Sequence, residues 1–137
     1  GFVGALRVEG AHCDLAGIVF YPNFYIGFDQ GTERLFAANG LSYAELTDDF
    51  GIDGMPLLET GTTYKNASKL GAELKIISWV DAWEGKTFVV RHKIMHVNGL
   101  EALEGFERRI FVVKDPEVDR GMRAVSVPDD LRKRFAN

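Results

Sequence analysis

Asp14 stands eight residues before Pro22, the residue that opens the longest helix-forming stretch of the chain. The first turn of a helix carries backbone N–H groups without intrahelical partners, and these attract negative charge. With Pro22 as the first helical residue, Tyr21 takes the N-cap, where Ser, Thr, Asp or Asn ordinarily satisfies those donors. A tyrosine leaves them open to a ligand oxygen. A carboxylate able to attack or to draw a proton from water, beside an N–H able to hold an oxyanion, suits an acyl-transfer step. By spacing alone, an aspartate in a loop equally makes a turn or a cap.

Other chemistry-bearing residues read less well. His12 and Cys13 are neighbours in an extended segment and point apart, so Cys13 reads as a small apolar residue rather than a nucleophile paired with histidine. His92 and His96 have the spacing of a helical metal pair, but on a strand they stand roughly 13 Å apart, too far to share an ion. No metal is expected. Glu59 could bring a second carboxylate to a pocket, and a surface strand glutamate is the simpler reading. No glycine-rich phosphate loop is present, and Trp79 and Trp83 read as packing residues.

Several elements must position these groups. Residues 2–10 read as a strand, and the helix from Pro22 to Ala38 ends before Gly40 as C-cap, with Phe24, Phe28, Gly31 and Leu35 on one face. Residues 41–55 read as a short helix and loop, and residues 56–66 as a strand. Over residues 72–83, Leu74, Ile76 and Val80 alternate with Glu73, Lys75 and Asp81, and Ile77, Trp79 and Trp83 share the second side. Glu84-Gly85 marks a tight turn. The strand Thr87–His96 places Phe88, Val90, His92 and Ile94 together, and Asn98-Gly99 predicts a type I′ hairpin into a strand over Glu101–Val113. A polar loop, a strand near residues 122–127 and a short basic helix after Pro128 complete the chain. One long helix followed by an antiparallel meander is an α+β order, not βαβ winding.

The 137 residues, 46% of them hydrophobic, are expected to form a single domain over residues 1–137. Sixteen basic against twenty acidic residues give a net charge of −4, which disfavours nucleic acid and anionic membrane surfaces as partners. The balance is uneven: residues 1–68 carry three basic and nine acidic residues, and residues 69–137 thirteen and eleven. An anion site would therefore be drawn mostly from the second half. The single cysteine and the lack of a long apolar run or signal-peptide pattern lead to an expected cytoplasmic location.

The segment His12-Cys13-Asp14-Leu15-Ala16-Gly17-Ile18-Val19-Phe20-Tyr21-Pro22-Asn23-Phe24-Tyr25 closely resembles the signature of the 4-hydroxybenzoyl-CoA thioesterase family and its acyl-CoA thioesterase relatives. Gly51 to Pro56, Trp83 with Lys86 to His92, and Arg123 to Pro128 resemble further stretches of that family in the same order. The resemblance implies the hotdog fold: one long helix wrapped by a curved antiparallel sheet of about five to six strands. It also implies homodimers or homotetramers with active sites between subunits. In such a protein Asp14 attacks the thioester or activates water, the backbone N–H of Tyr21 holds the carbonyl oxygen, and Gly17 shapes the loop. Asp29 matches a carboxylate of the acyl pocket, with a solvated helix carboxylate as the alternative. Lys86 and Arg123 match positions that contact the coenzyme A phosphates. Glu84 and Gly85 replace arginines of the family's aromatic enzyme, and Gly27 replaces a bulky aromatic residue, so the acyl group is left open. The expected activity is hydrolysis of an acyl-CoA to the free acid and coenzyme A without metal or redox cofactor. Thioesters of acyl carrier protein, or acyl-thioester binding without turnover, are the alternatives.

Overall fold

The computed structural model describes residues 1–9, 22–69 and 71–135. Helix α1 runs Pro22–Ala38, and Gly40, at φ 71°, takes the left-handed conformation that stops it. Its apolar face, Phe24, Phe28, Leu35 and Phe36, is buried. Helix α2, Tyr43–Phe50, opens with a capping box: the Glu45 N–H donates to the Ser42 hydroxyl, and the Ser42 N–H donates to the Glu45 carboxylate.

Five strands form one antiparallel sheet in the order β1-β3-β4-β5-β2: β1 is Phe2–Arg7, β2 Leu57–Tyr64, β3 Glu73–Glu84, β4 Thr87–His96 and β5 Glu101–Ile110. Helix α1 packs against β3, β1 and β4 on one face of that sheet. A short ribbon of β6 (Val112–Lys114) and β7 (Met122–Ala124) and a final helix α3 (Asp129–Lys133) follow. This is the hotdog arrangement, α+β as expected.

The differences from the sequence reading are local. The β3/β4 register slips between Val80 and Ala82, so Asp81 is bulged and the phase beyond it reverses. Trp83 therefore pairs with Phe88 and packs into the core, with ring centroids 5.6 Å from Phe88 and 5.3 Å from Phe135. It does not share a side with Trp79. The Asn98-Gly99 hairpin forms, but among the described residues only glycines have positive φ, so the turn is not type I′. The Gly99 N–H donates to the His96 carbonyl, Gly99 has φ 93°, and the Leu100 N–H donates to the Asn98 side chain. That is a turn with negative φ at its central residues, followed by a left-handed glycine. The strand expected over residues 101–113 breaks at Phe111, whose fully buried ring stacks on Phe88 at 4.7 Å.

The core comes in two parts. Phe24, Phe28, Ile76, Ile94 and Leu103 form one around the first half of α1, and Leu35, Phe36, Phe88, Val90 and Phe111 form the other around its second half. Each fully buried side chain of this kind stabilises the fold by about 1.5–3 kcal/mol. Between the two parts lies a row of polar residues.

Candidate active site

That row follows from sheet register. Ser78 on β3 faces His92 on β4, and His92 faces Gly105 on β5, with Glu107 and Arg109 next on the same face of β5. Ser78, His92 and Glu107 are at most 2% exposed. Ser78 Oγ lies 2.7 Å from His92 Nδ1, and His92 Nε2 lies 2.9 Å from Glu107 Oε1. The Thr32 hydroxyl, projecting from α1, also donates to Glu107 Oε1. Arg109 donates through Nη2 to Glu107 Oε2 at 2.6 Å and to Asp29 Oδ1 at 2.7 Å, and through Nη1 to the Met55 carbonyl at 2.9 Å. A chain of contacts thus crosses from β3 to the outer flank of α1.

Burial alone would push the Glu107 carboxyl up. Hydrogen bonds from His92 and Arg109, the Arg109 charge and the Thr32 hydroxyl outweigh it and hold the group below its ordinary value. Burial works against the Arg109 charge in the same way, and the bonds and charges of Glu107 and Asp29 reverse it, so Arg109 is held above its ordinary value.

Hydroxyl, imidazole and carboxylate in sequence resemble a nucleophilic triad, but Ser78 is sealed. A Cβ on Gly31 would stand 2.8 Å from its oxygen, so the helix backbone lies directly over it. No substrate carbonyl reaches that hydroxyl, and the three groups act as a buried clamp. His92 is a core histidine, as its strand position predicted.

Asp29 is where the clamp meets solvent: its side chain is 55% exposed while its Arg109 partner is 9% exposed. It is thus a carboxylate fixed by a buried cation, unlike a freely solvated helix residue. Arg109 also lines a cavity of about 270 Å³ with Tyr43, Leu46, Ile52 and Met55. Burial, then the negative charges of Asp29 and Glu33, hold the Tyr43 hydroxyl above its ordinary value. Gly27 sits two residues before Asp29, about 200° away around the helix. It lines a second pocket of about 170 Å³ against β1, with Leu6, Val8 and Leu74. The space left by the missing aromatic ring therefore opens on the other flank from Asp29.

Lys86, in the turn between β3 and β4, is exposed and takes no ion pair among the described residues. Arg123 on β7 is exposed but paired, its Nε 3.1 Å from Asp115 Oδ2. The two lie at one end of the molecule, where the Lys86 carbonyl accepts from Phe111 and Val125 donates to the Phe111 carbonyl. Glu59 is the surface residue it was expected to be, paired with Arg108. Asp14, Gly17 and Tyr21 lie outside the described residues. What precedes them is visible at the helix: α1 begins at Pro22, and its first turn has no acidic side chain to occupy the open N–H groups.

Sequence reasoning missed Thr32, Ser78, Glu107 and Arg109. The signal for two of them was parity: Leu103, Gly105, Glu107 and Arg109 alternate along β5, and Leu103 points to the core.

With this fold and site, the chain matches the model of the thioesterase-like superfamily over residues 8–135. It belongs to that family and is a thioester hydrolase. Within it, the chain is 29% identical over 129 residues to the 4-hydroxybenzoyl-CoA thioesterase of Pseudomonas sp. (strain CBS-3), covering 90% of this chain and 89% of that protein. The solved structure of that enzyme superposes with a TM-score of 0.87 at 28% identity over 97% of each chain. A gentisyl-coenzyme A thioesterase superposes at 0.81 with 26% identity, over 99% of this chain and 100% of the other.

Proposed function

We propose that this protein hydrolyses an acyl-CoA thioester, releasing the free acid and coenzyme A. The observation that carries the reading is the 29% identity, across nine-tenths of the chain, to a protein that acts on 4-hydroxybenzoyl-CoA. In this reading the Tyr21 N–H at the start of α1 binds the thioester oxygen and stabilises the negative charge that develops there. The Asp14 carboxylate either attacks the carbonyl carbon, expelling the coenzyme A thiolate and leaving an anhydride that water cleaves, or takes a proton from the attacking water. A carboxylate, a backbone donor and water suffice for this chemistry, so no metal or redox cofactor is called for. Gly17 lets the loop approach the substrate, and Asp29 stands at the acyl end.

Lys86 is a ready cation for the phosphates of coenzyme A, and Arg123 reaches them by exchanging Asp115 for phosphate. Two copies pairing their sheets edge to edge, with active sites between subunits, complete the proposed arrangement.

The test is thiol release from benzoyl, 4-hydroxybenzoyl, phenylacetyl and aliphatic acyl-CoAs by the wild type and Asp14→Asn. Turnover is expected to fall at least a thousandfold in a variant that keeps its melting temperature and oligomer. Equal activity in the variant removes Asp14 from the mechanism. A wild type inert on every acyl-CoA moves thioesters of acyl carrier protein, and then binding without turnover, ahead.

A further inference from the structure

Arg109 is the best-anchored cation among the described residues, and it looks inward rather than to solvent. Its guanidinium is bound on three sides, by Met55, Glu107 and Asp29, and only Asp29 of these reaches the surface. We propose that Arg109 is the positioning residue of the acyl subsite: it acts through Asp29, and the carboxylates gathered on it make that subsite accept a neutral hydrogen-bond donor and reject an anionic acyl group. The proposal rests on Asp29 lining the acyl pocket of a thioesterase.

Three features support it. First, Nη2 donates to two carboxylates at once, so the cation is already neutralised and has no charge to spare for an anion on the substrate. Second, Glu33, one helical turn past Asp29, adds another negative charge to the same flank, and the upward displacement of the Tyr43 hydroxyl reports the field of both. Third, Asp29 Oδ1 is committed to Arg109, which leaves Oδ2 to accept from a ligand. A carboxylate pinned in this way has lost its rotamer freedom before substrate arrives, which is what a fixed acceptor requires. A lysine at 109 would keep the charge but not the planar fork that reaches Met55, Glu107 and Asp29 together.

The experiment measures kcat and KM for 4-hydroxybenzoyl-, benzoyl- and 4-carboxybenzoyl-CoA in wild type, Arg109→Lys, Asp29→Asn and the double variant. The wild type is expected to hydrolyse the hydroxylated acyl group at least tenfold faster than the carboxylated one. Arg109→Lys should lower the preference for hydroxybenzoyl over benzoyl about tenfold, mostly in KM, the scale of one charge-assisted hydrogen bond. In the Asp29→Asn background, the lysine should change that ratio no further, because its effect passes through Asp29. A preference for the carboxylated acyl group overturns the proposal. So does a ratio untouched by Arg109→Lys, or one that falls equally in both backgrounds, which marks a purely structural arginine. Should Arg109→Lys fail to fold, Glu107→Gln removes the buried anchor while keeping the arginine, and the same ratio decides. A wild type that releases no thiol from any of the three instead overturns the thioesterase reading itself, and this inference falls with it.

Discussion

A methyl group at Gly105 would lie 2.6 Å from Phe28 Cε2 and 2.7 Å from the Gly61 carbonyl oxygen, whereas one at Gly31 would lie 2.8 Å from the Ser78 hydroxyl. A backbone oxygen in a paired strand cannot step aside, but a serine hydroxyl can rotate at the expense of its bond to His92. Gly105→Ala is therefore expected to destabilise by about 2–3 kcal/mol. Gly31→Ala should cost about 1 kcal/mol, since the gain in helix propensity offsets part of the crowding. Urea unfolding of the two variants checks the order, and Gly31→Ala as the more damaging change would refute it. The same residues explain what the sequence concealed. Gly105 leaves room for Phe28 to stack on His92 at 4.7 Å, and neither that nor the Glu107 clamp is local: Arg109 and Asp29 are 80 residues apart. A charged residue in a half-buried strand is read as pointing outward until the register shows what it faces. Asp29 was legible through the family motif, and its arginine was not.

At the scale of elements, most of the order was legible, because periodicity and stop signals are local. Pro22 and Gly40 bracket α1, and the strand Thr87–His96 has the bounds its alternation implied. What failed depends on pairing. The Asp81 bulge belongs to the β3/β4 register and not to either strand alone, and it turned Trp83 from the outer face to the core. Helix α2 shows how a short element survives. Its eight residues carry one buried side chain, Leu46, so its capping box contributes a large share of its stability. Ser42→Ala should cost about 1 kcal/mol, and Ser42→Gly only a few tenths. Thermal unfolding distinguishes the two, and equal losses would show that the Ser42 side chain does not act as the cap.

For the whole molecule, the consequence of the polar row is that the core on the inner face of the sheet is divided, and its two apolar parts are joined through an ionised cluster tying α1 to β3, β4 and β5. Burying charge is favourable only while every partner stays in its bonded state, so stability should depend on pH through Glu107. Its folded pKa lies below the ordinary value of 4.5. Below that ordinary value the unfolded chain takes up a proton that the folded chain still excludes, so acid favours unfolding. The stabilisation is complete above the unfolded pKa and is lost as pH falls through the folded one. His92, Arg109, Asp29 and Thr32 face the carboxylate from the surrounding elements. Glu107→Gln keeps the volume and removes the charge, leaving Arg109 with Asp29 as its one charged partner. We expect its urea midpoint to lie well below wild type at pH 7. The gap should narrow steadily as pH falls from 5 toward 3, because the wild type loses what the variant never had. A gap independent of pH would mean that the carboxylate stabilises this fold by shape and hydrogen bonding, and not by its charge.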